Sequence, residues 1–109
     1  MNQYAQQRSV PRFDFIASVE IHDPASGVRL DGRISEISRK GCYIDVLNTL
    51  PKGTSVQLRI SRDRGSFATA GAVIYTLESM GMGIAFSETP AEQMKILDSW
   101  LAEISAAGH

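Results

Sequence analysis

The sequence predicts an all-β domain, an antiparallel barrel or sandwich, with one helix at its C-terminal end. Three observations carry this expectation. Between Phe13 and Phe86, apolar and polar residues alternate in six short stretches, the period-two pattern of half-buried strands. The stretches are separated by Gly, Pro, Asp, Asn and Ser, the residues that turns require. After Thr89 the apolar residues recur at helical spacing instead.

Residues 1–12 are polar, carry Pro11 and show no period. They are expected to form a flexible N-terminal arm, with residues 13–109 forming the β-domain and its helix. In the first strand Phe13, Phe15, Ala17, Val19 and Ile21 share one face, and Asp14, Ser18, Glu20 and His22 the other. Asp23-Pro24-Ala25-Ser26-Gly27 reads as a turn, Pro fixing φ and Gly permitting a positive one. The second strand runs from Val28 to Ser38, with Val28, Leu30 and Ile34 on the apolar face and Gly32 at a bend. Ser38 to Gly41 turns the chain into a strand where Cys42, Ile44 and Val46 alternate with Tyr43 and Asp45.

A loop over 48–54, carrying Pro51 and Gly53, precedes the alternating Val56, Leu58 and Ile60. Ser61 to Ser66 is a charged hairpin tip, where Arg62 and Arg64, with nearby Arg59, are expected to be solvated. The fifth strand spans Phe67 to Leu77, with Phe67, Val73, Tyr75 and Leu77 on one face. In the sixth, Met82, Ile84 and Phe86 oppose the small Gly83 and Ala85. Thr89-Pro90-Ala91-Glu92 reads as a capping box with Pro at the first helical position. Met94, Leu97, Trp100, Leu101 and Ile104 then form the buried stripe of a helix over about residues 90–105, and Gly108 ends it.

Bulk composition narrows the function classes. A chain of 109 residues, 43% hydrophobic and 21% charged, suits one globular domain with its own core. A formal net charge of −1 gives no electrostatic case for long nucleic acid or an anionic membrane surface. Cys42 is the only cysteine, so no intrachain disulfide forms, which suits a reducing compartment. There is no apolar run near the ~18 residues that span a bilayer. Met1 to Gln7 lack the apolar core of a secretory signal. A cytoplasmic location is expected. His22, His109 and Cys42 show no metal-ligand spacing, and no nucleophile or acid–base motif is present. An enzyme is not expected.

Two motifs remain. Arg8-Ser9-Val10-Pro11-Arg12 reads RxxxR, in a stretch without a single acid. A guanidinium fork suits phosphate oxygens and the O6/N7 edge of guanine, and its plane stacks on purines. The bland alternative is a solvated basic tail. Glu36-Ile37-Ser38-Arg39-Lys40-Gly41 reads ExSxxG. Ser38 offers a hydroxyl to a ligand or to its own turn, and Gly41 a backbone conformation that other residues resist. Glu36 suits the N1–H and N2–H donors of guanine, or is a solvated residue paired with Arg33 or Lys40.

The order of these parts resembles the PilZ domain, a bacterial receptor family for cyclic di-GMP. The arm, the strands, Gly41-Cys42-Tyr43-Ile44, Gly81-Met82-Gly83-Ile84-Ala85-Phe86 and the closing helix carry the likeness over about residues 8 to 104. The resemblance implies a six-stranded antiparallel barrel with a C-terminal helix. It also implies a non-enzymatic receptor that clamps cyclic di-GMP with its arm and relays a conformational change to a protein partner. The family's arginines match Arg8 and Arg12, its Ser matches Ser38 and its Gly matches Gly41. Glu36 stands where the family has Asp or Asn, one methylene longer. Gln7 precedes the first arginine, a position that in the family biases between one bound ligand and a stacked pair. Arg39, inside the second motif, is a further candidate contact. Two alternatives are a PilZ-like interaction module that binds no nucleotide and, last, a barrel for single-stranded nucleic acid. That last reading needs solvent-facing aromatics, and here most fall on core phases.

Overall fold

Alternation closes the chain into a barrel. The computed structural model describes residues 10–63 and 65–107. Its strands are β1 (Arg12–His22), β2 (Arg29–Ser38), β3 (Gly41–Asp45), β4 (Ser55–Arg62), β5 (Gly65–Leu77) and β6 (Gly81–Ser87), followed by helix α1 (Ala91–Ala107). They form a closed barrel in the order β1-β2-β3-β6-β5-β4. All six neighbouring pairs are antiparallel, and β4 closes on β1 from Ser18↔Ser61 to His22↔Gln57. Closure leaves no open sheet edge. The antiparallel order places the start of β1, the Arg39–Lys40 turn between β2 and β3, and the start of α1 at one end.

The inward phases fill the barrel: Phe15, Val19 and Ile21 of β1, Ile34 and Ile37 of β2, Ile44, Ile60, Phe67, Val73, Met82 and Ile84 are all buried. Helix α1 covers the end by the β2–β3 turn, burying Leu97 and Trp100. The Trp100 ring lies 5.6 Å from that of Phe15 and 6.2 Å from that of Phe67. Arg62 is not a solvated tip residue. Its guanidinium carbon sits 4.9 Å over the Phe15 ring and its Nη1 3.5 Å from Glu103 of α1, so its stem covers the seam between barrel and helix. Gln93 Oε1 accepts the Ala68 N–H at 2.8 Å. The Thr89 hydroxyl, expected to cap α1, instead lies 2.7 Å from the Thr69 hydroxyl and ties the helix start to β5.

Three register shifts bend this barrel: between Asp14 and Ala17 where β1 meets β2, between Ile34 and Glu36 where β2 meets β3, and between Val73 and Tyr75 where β5 meets β6. A bulge adds a residue and re-aims the side chains beyond it. On β2 it lets Ile34 and Ile37 both face inward. On β5 it turns the phase over, so Tyr75 and Leu77, expected on the apolar face with Phe67 and Val73, are 42% and 46% exposed. Among the described residues, no helix is long and apolar enough to cross a membrane.

Candidate ligand-binding site

Strand pairing brings the two motifs together. Arg12 opens β1, and its register partner is Ser38, the last residue of β2. The second arginine of RxxxR is therefore fixed on the barrel, one residue earlier than the expected strand start. Arg8 and Gln7 lie outside the described residues. From its strand position Arg12 reaches diagonally to Glu36, Nη1 to Oε1 at 3.2 Å, with both side chains about two-fifths exposed. Glu36 thus pairs with Arg12 rather than with Arg33 or Lys40.

The serine and glycine of the second motif build the turn. Ser38 is buried, and its Oγ accepts the N–H groups of Lys40 and Gly41 at 3.1 and 3.2 Å. The same hydroxyl donates to the Gly41 carbonyl at 3.3 Å. Gly41 is required for space, not for an unusual φ, since the glycines with positive φ are Gly27 and Gly53. A Cβ on Gly41 would run into the Ile84 carbonyl oxygen, because β3 lies close against β6 at the pair Gly41↔Ala85. Arg39 grips Asp98 of α1, Nε to Oδ1 at 3.0 Å and Nη2 to Oδ2 at 3.5 Å. The Asp98 carboxylate raises the Arg39 pKa above its ordinary value.

Arg12, Glu36, Ser38 and Gly41 line one cavity of about 210 Å³. Two further residues of its wall, Tyr43 and Tyr75, have no place in either sequence motif. Their rings are stacked, 6.3 Å between centroids and 25° between planes. Burial raises the Tyr75 pKa, as do Tyr43 and Glu36, while Arg12 pulls it down. Burial, then Asp45, raises that of Tyr43. Both are therefore neutral phenols at neutral pH. Lys40 borders the cavity as well, so its polar side carries two cations and one carboxylate. The arrangement suits a planar ring that also bears negative charge. Cys42 is part of the same wall, buried, its thiol pKa pushed far up by burial. Among the described residues no cluster of His, Cys, Asp and Glu could hold a metal ion.

The comparisons agree with this architecture. The family model described as PilZ domain matches residues 6–103, and the chain belongs to that family, whose modules bind ligands rather than catalyse reactions. Among solved structures, it is similar to the inhibitor of motility MotI/DgrA of Bacillus subtilis, with TM-score 0.79 and 19% identity over 95% of this chain and 53% of that one. The chain thus spans about half the length of MotI/DgrA. It is also similar to the PilZ domain of YcgR from Escherichia coli, solved with c-di-GMP, with TM-score 0.76 and 14% identity over 94% of this chain and 95% of that one. A third neighbour is the PilZ domain of CeSA from a cellulose-synthesizing bacterium, with TM-score 0.64 and 17% identity over 91% of this chain and 99% of that one. Identities this low show the shared fold. None of the curated proteins matches the sequence.

Proposed function

We propose that this PilZ domain is a non-enzymatic, cytoplasmic receptor that binds cyclic di-GMP and relays the signal to a protein partner. The observation that carries the reading is the convergence of Arg12, Glu36, Ser38 and Gly41 on one cavity. Arg12 offers a planar fork to a phosphate or to the guanine O6/N7 edge. Glu36 offers two acceptors for guanine N1–H and N2–H. Ser38 and Gly41 hold the turn whose backbone borders the ligand. Arg8, with Gln7 beside it, would close over the bound nucleotide from the arm; Arg39, which does not line the cavity, would join as a further contact only by releasing Asp98. The Arg12–Glu36 pair is solvent-exposed, so parting it costs only about 0–1 kcal/mol. A charge-assisted bond to ligand is worth about 1.5–3 kcal/mol, which exceeds that cost.

A second reading, an interaction module without nucleotide binding, has one observation in its favour: Arg12, Arg39 and the Ser38 hydroxyl already have partners within the protein. Isothermal titration with cyclic di-GMP, and with GTP, GMP and cyclic AMP as controls, separates the two. Saturable heat with cyclic di-GMP in preference to the others supports the receptor. Neither heat nor chemical-shift change at high micromolar ligand rejects it in favour of the module. In a binding protein, Arg8→Ala or Arg12→Ala should each weaken affinity by roughly 10- to 150-fold.

A further inference from the structure

We propose that the barrel end away from α1 is a self-complementary face through which two copies of this chain pair about a two-fold axis.

The antiparallel order brings the start of β2, the end of β3 and the turn before β6 together at that end. There they border a hollow of about 560 Å³. Leu30 and Val46 form its apolar floor, and both are partly buried against the barrel core. Two apolar side chains stand at its border, Leu47, 77% exposed, and Met80, 65% exposed. The backbone fixes Met80 in place. Its N–H donates to the Leu77 carbonyl at 2.9 Å, and its carbonyl accepts the Val46 N–H at 3.2 Å. Ser79, just before it, takes φ 66°, a left-handed conformation that a residue with a Cβ resists. Bonds and strain thus hold the turn in a shape that keeps an apolar side chain in water.

This face carries both halves of a contact. It has an apolar hollow and, beside it, apolar side chains of a size to fill one. Methionine is unbranched and fits irregular gaps. The charges are self-complementary as well. Arg29 and Asp31 lie two apart on β2, so they project to the same side of the sheet, and both are exposed. Among the described residues neither forms an ion pair. A two-fold axis through this segment sets Arg29 of one copy against Asp31 of a second copy, and the reciprocal bridge follows by symmetry. Such an interface is isologous and closes at two copies. The hollow shares no residue with the cavity of Arg12 and Glu36, so pairing does not depend on nucleotide binding. The competing explanation is ordinary surface, since single exposed apolar residues are common on monomeric proteins. Ordinary surface gives no concentration dependence and no charge specificity.

Sedimentation velocity of the full chain from about 10 µM to about 1 mM decides between them, because mass action populates a weak dimer only as concentration rises. Pairing predicts a weight-average mass that climbs from 11.9 kDa toward twice that value. Leu47→Ser and Met80→Ser should each raise the dissociation constant roughly 10-fold or more, since a two-fold interface feels each change twice. Both positions are exposed, so unchanged melting temperatures check the fold. Arg29→Glu should weaken pairing by like charge. Arg29→Glu together with Asp31→Arg reverses the pattern, keeps it self-complementary and should restore pairing. A wild type that stays at 11.9 kDa up to ~1 mM overturns the proposal. So does a dimer that Leu47→Ser, Met80→Ser and Arg29→Glu all leave unchanged, because its contact lies elsewhere. A double variant that pairs no better than Arg29→Glu alone overturns the two-fold charge match, and with it the isologous face.

Discussion

Replacing Gly41 by alanine should damage the barrel rather than any ligand contact. The added Cβ would collide with the Ile84 carbonyl oxygen, and it would also lie 3.3 Å from the Ile84 carbonyl carbon and 3.4 Å from Ala85 Cα. All three atoms are backbone, so no rotamer change relieves the clash. Strands β3 and β6 must separate, at the pair Gly41↔Ala85 and beside the bond from Phe86 N to Lys40 O at 2.8 Å. Overpacking costs about 1–3 kcal/mol in general, and a rigid obstacle belongs at the upper end. A loss of about 3 kcal/mol lowers the melting temperature of a domain this size by roughly 12–24 °C. Gly53→Ala is the control. Gly53 has φ 94°, and an added Cβ there would meet nothing within 4 Å, so that substitution carries only left-handed backbone strain, about 1–2 kcal/mol. Thermal unfolding followed by circular dichroism measures both. A Gly41→Ala protein that melts within ~3 °C of wild type, or above Gly53→Ala, would refute the close-approach argument.

Three other outcomes are expected. Glu36→Ala should weaken cyclic di-GMP binding while Glu36→Asp keeps or improves it, and equal affinity of wild type, Asp and Ala in titration would remove Glu36 from guanine recognition. Asp23 has a lowered pKa, chiefly through the Ser26 hydroxyl bonded to its Oδ2 at 2.8 Å, with the Ala25 and Ser26 N–H groups and His22 adding to the effect and burial opposing it. A depressed carboxyl stabilises the fold above its unfolded pKa of about 3.9, and that contribution is lost as pH falls through the lower folded value; melting curves of Asp23→Ala should therefore fall less steeply than wild type in that acid range. Cys42, buried and with its thiol pKa raised by burial, should resist thiol reagents at pH 8 until denaturant is added, and rapid labelling of the native protein would contradict its placement in the core.

Most strands are legible in the sequence because one face of each is buried and period two survives in the residue order. Phe15, Val19 and Ile21, or Val56, Leu58 and Ile60, need nothing more. The phase is lost where a bulge interrupts it. No local signal separates Val73-Ile74-Tyr75 with a bulge from the same three residues without one, so alternation alone places Tyr75 and Leu77 inward. The glycines of β6 are the available clue, since a glycine inside a strand marks a close approach. Partners are not legible. Arg12 and Glu36 are separated by 24 positions, and Arg39 and Asp98 by 59. Only the barrel register and the docking of α1 decide which carboxylate each cation finds. The Thr89 hydroxyl shows a competition of the same kind, a local cap against a tertiary partner on β5, and the tertiary partner prevails.

The ExSxxG element divides by physical role. Ser38 and Gly41 are occupied in making the turn: one hydroxyl gathers two N–H groups and a carbonyl, and one missing Cβ lets β3 lie against β6. In the proposed receptor their contribution is to fix the backbone around Glu36 and the cavity wall. Glu36 is the residue of the motif whose carboxylate is free to exchange partners, because its bond to Arg12 is exposed on both sides. The methylene that separates Glu from the family's Asp lengthens its reach along the diagonal from its own strand position to Arg12. A pair worth about 0–1 kcal/mol can weaken binding by no more than about fivefold, since 1.4 kcal/mol corresponds to a factor of ten. On the receptor reading proposed above, competition from Glu36 for Arg12 would therefore reduce ligand affinity only modestly, and any larger loss would have to come from how the longer carboxylate meets a guanine edge.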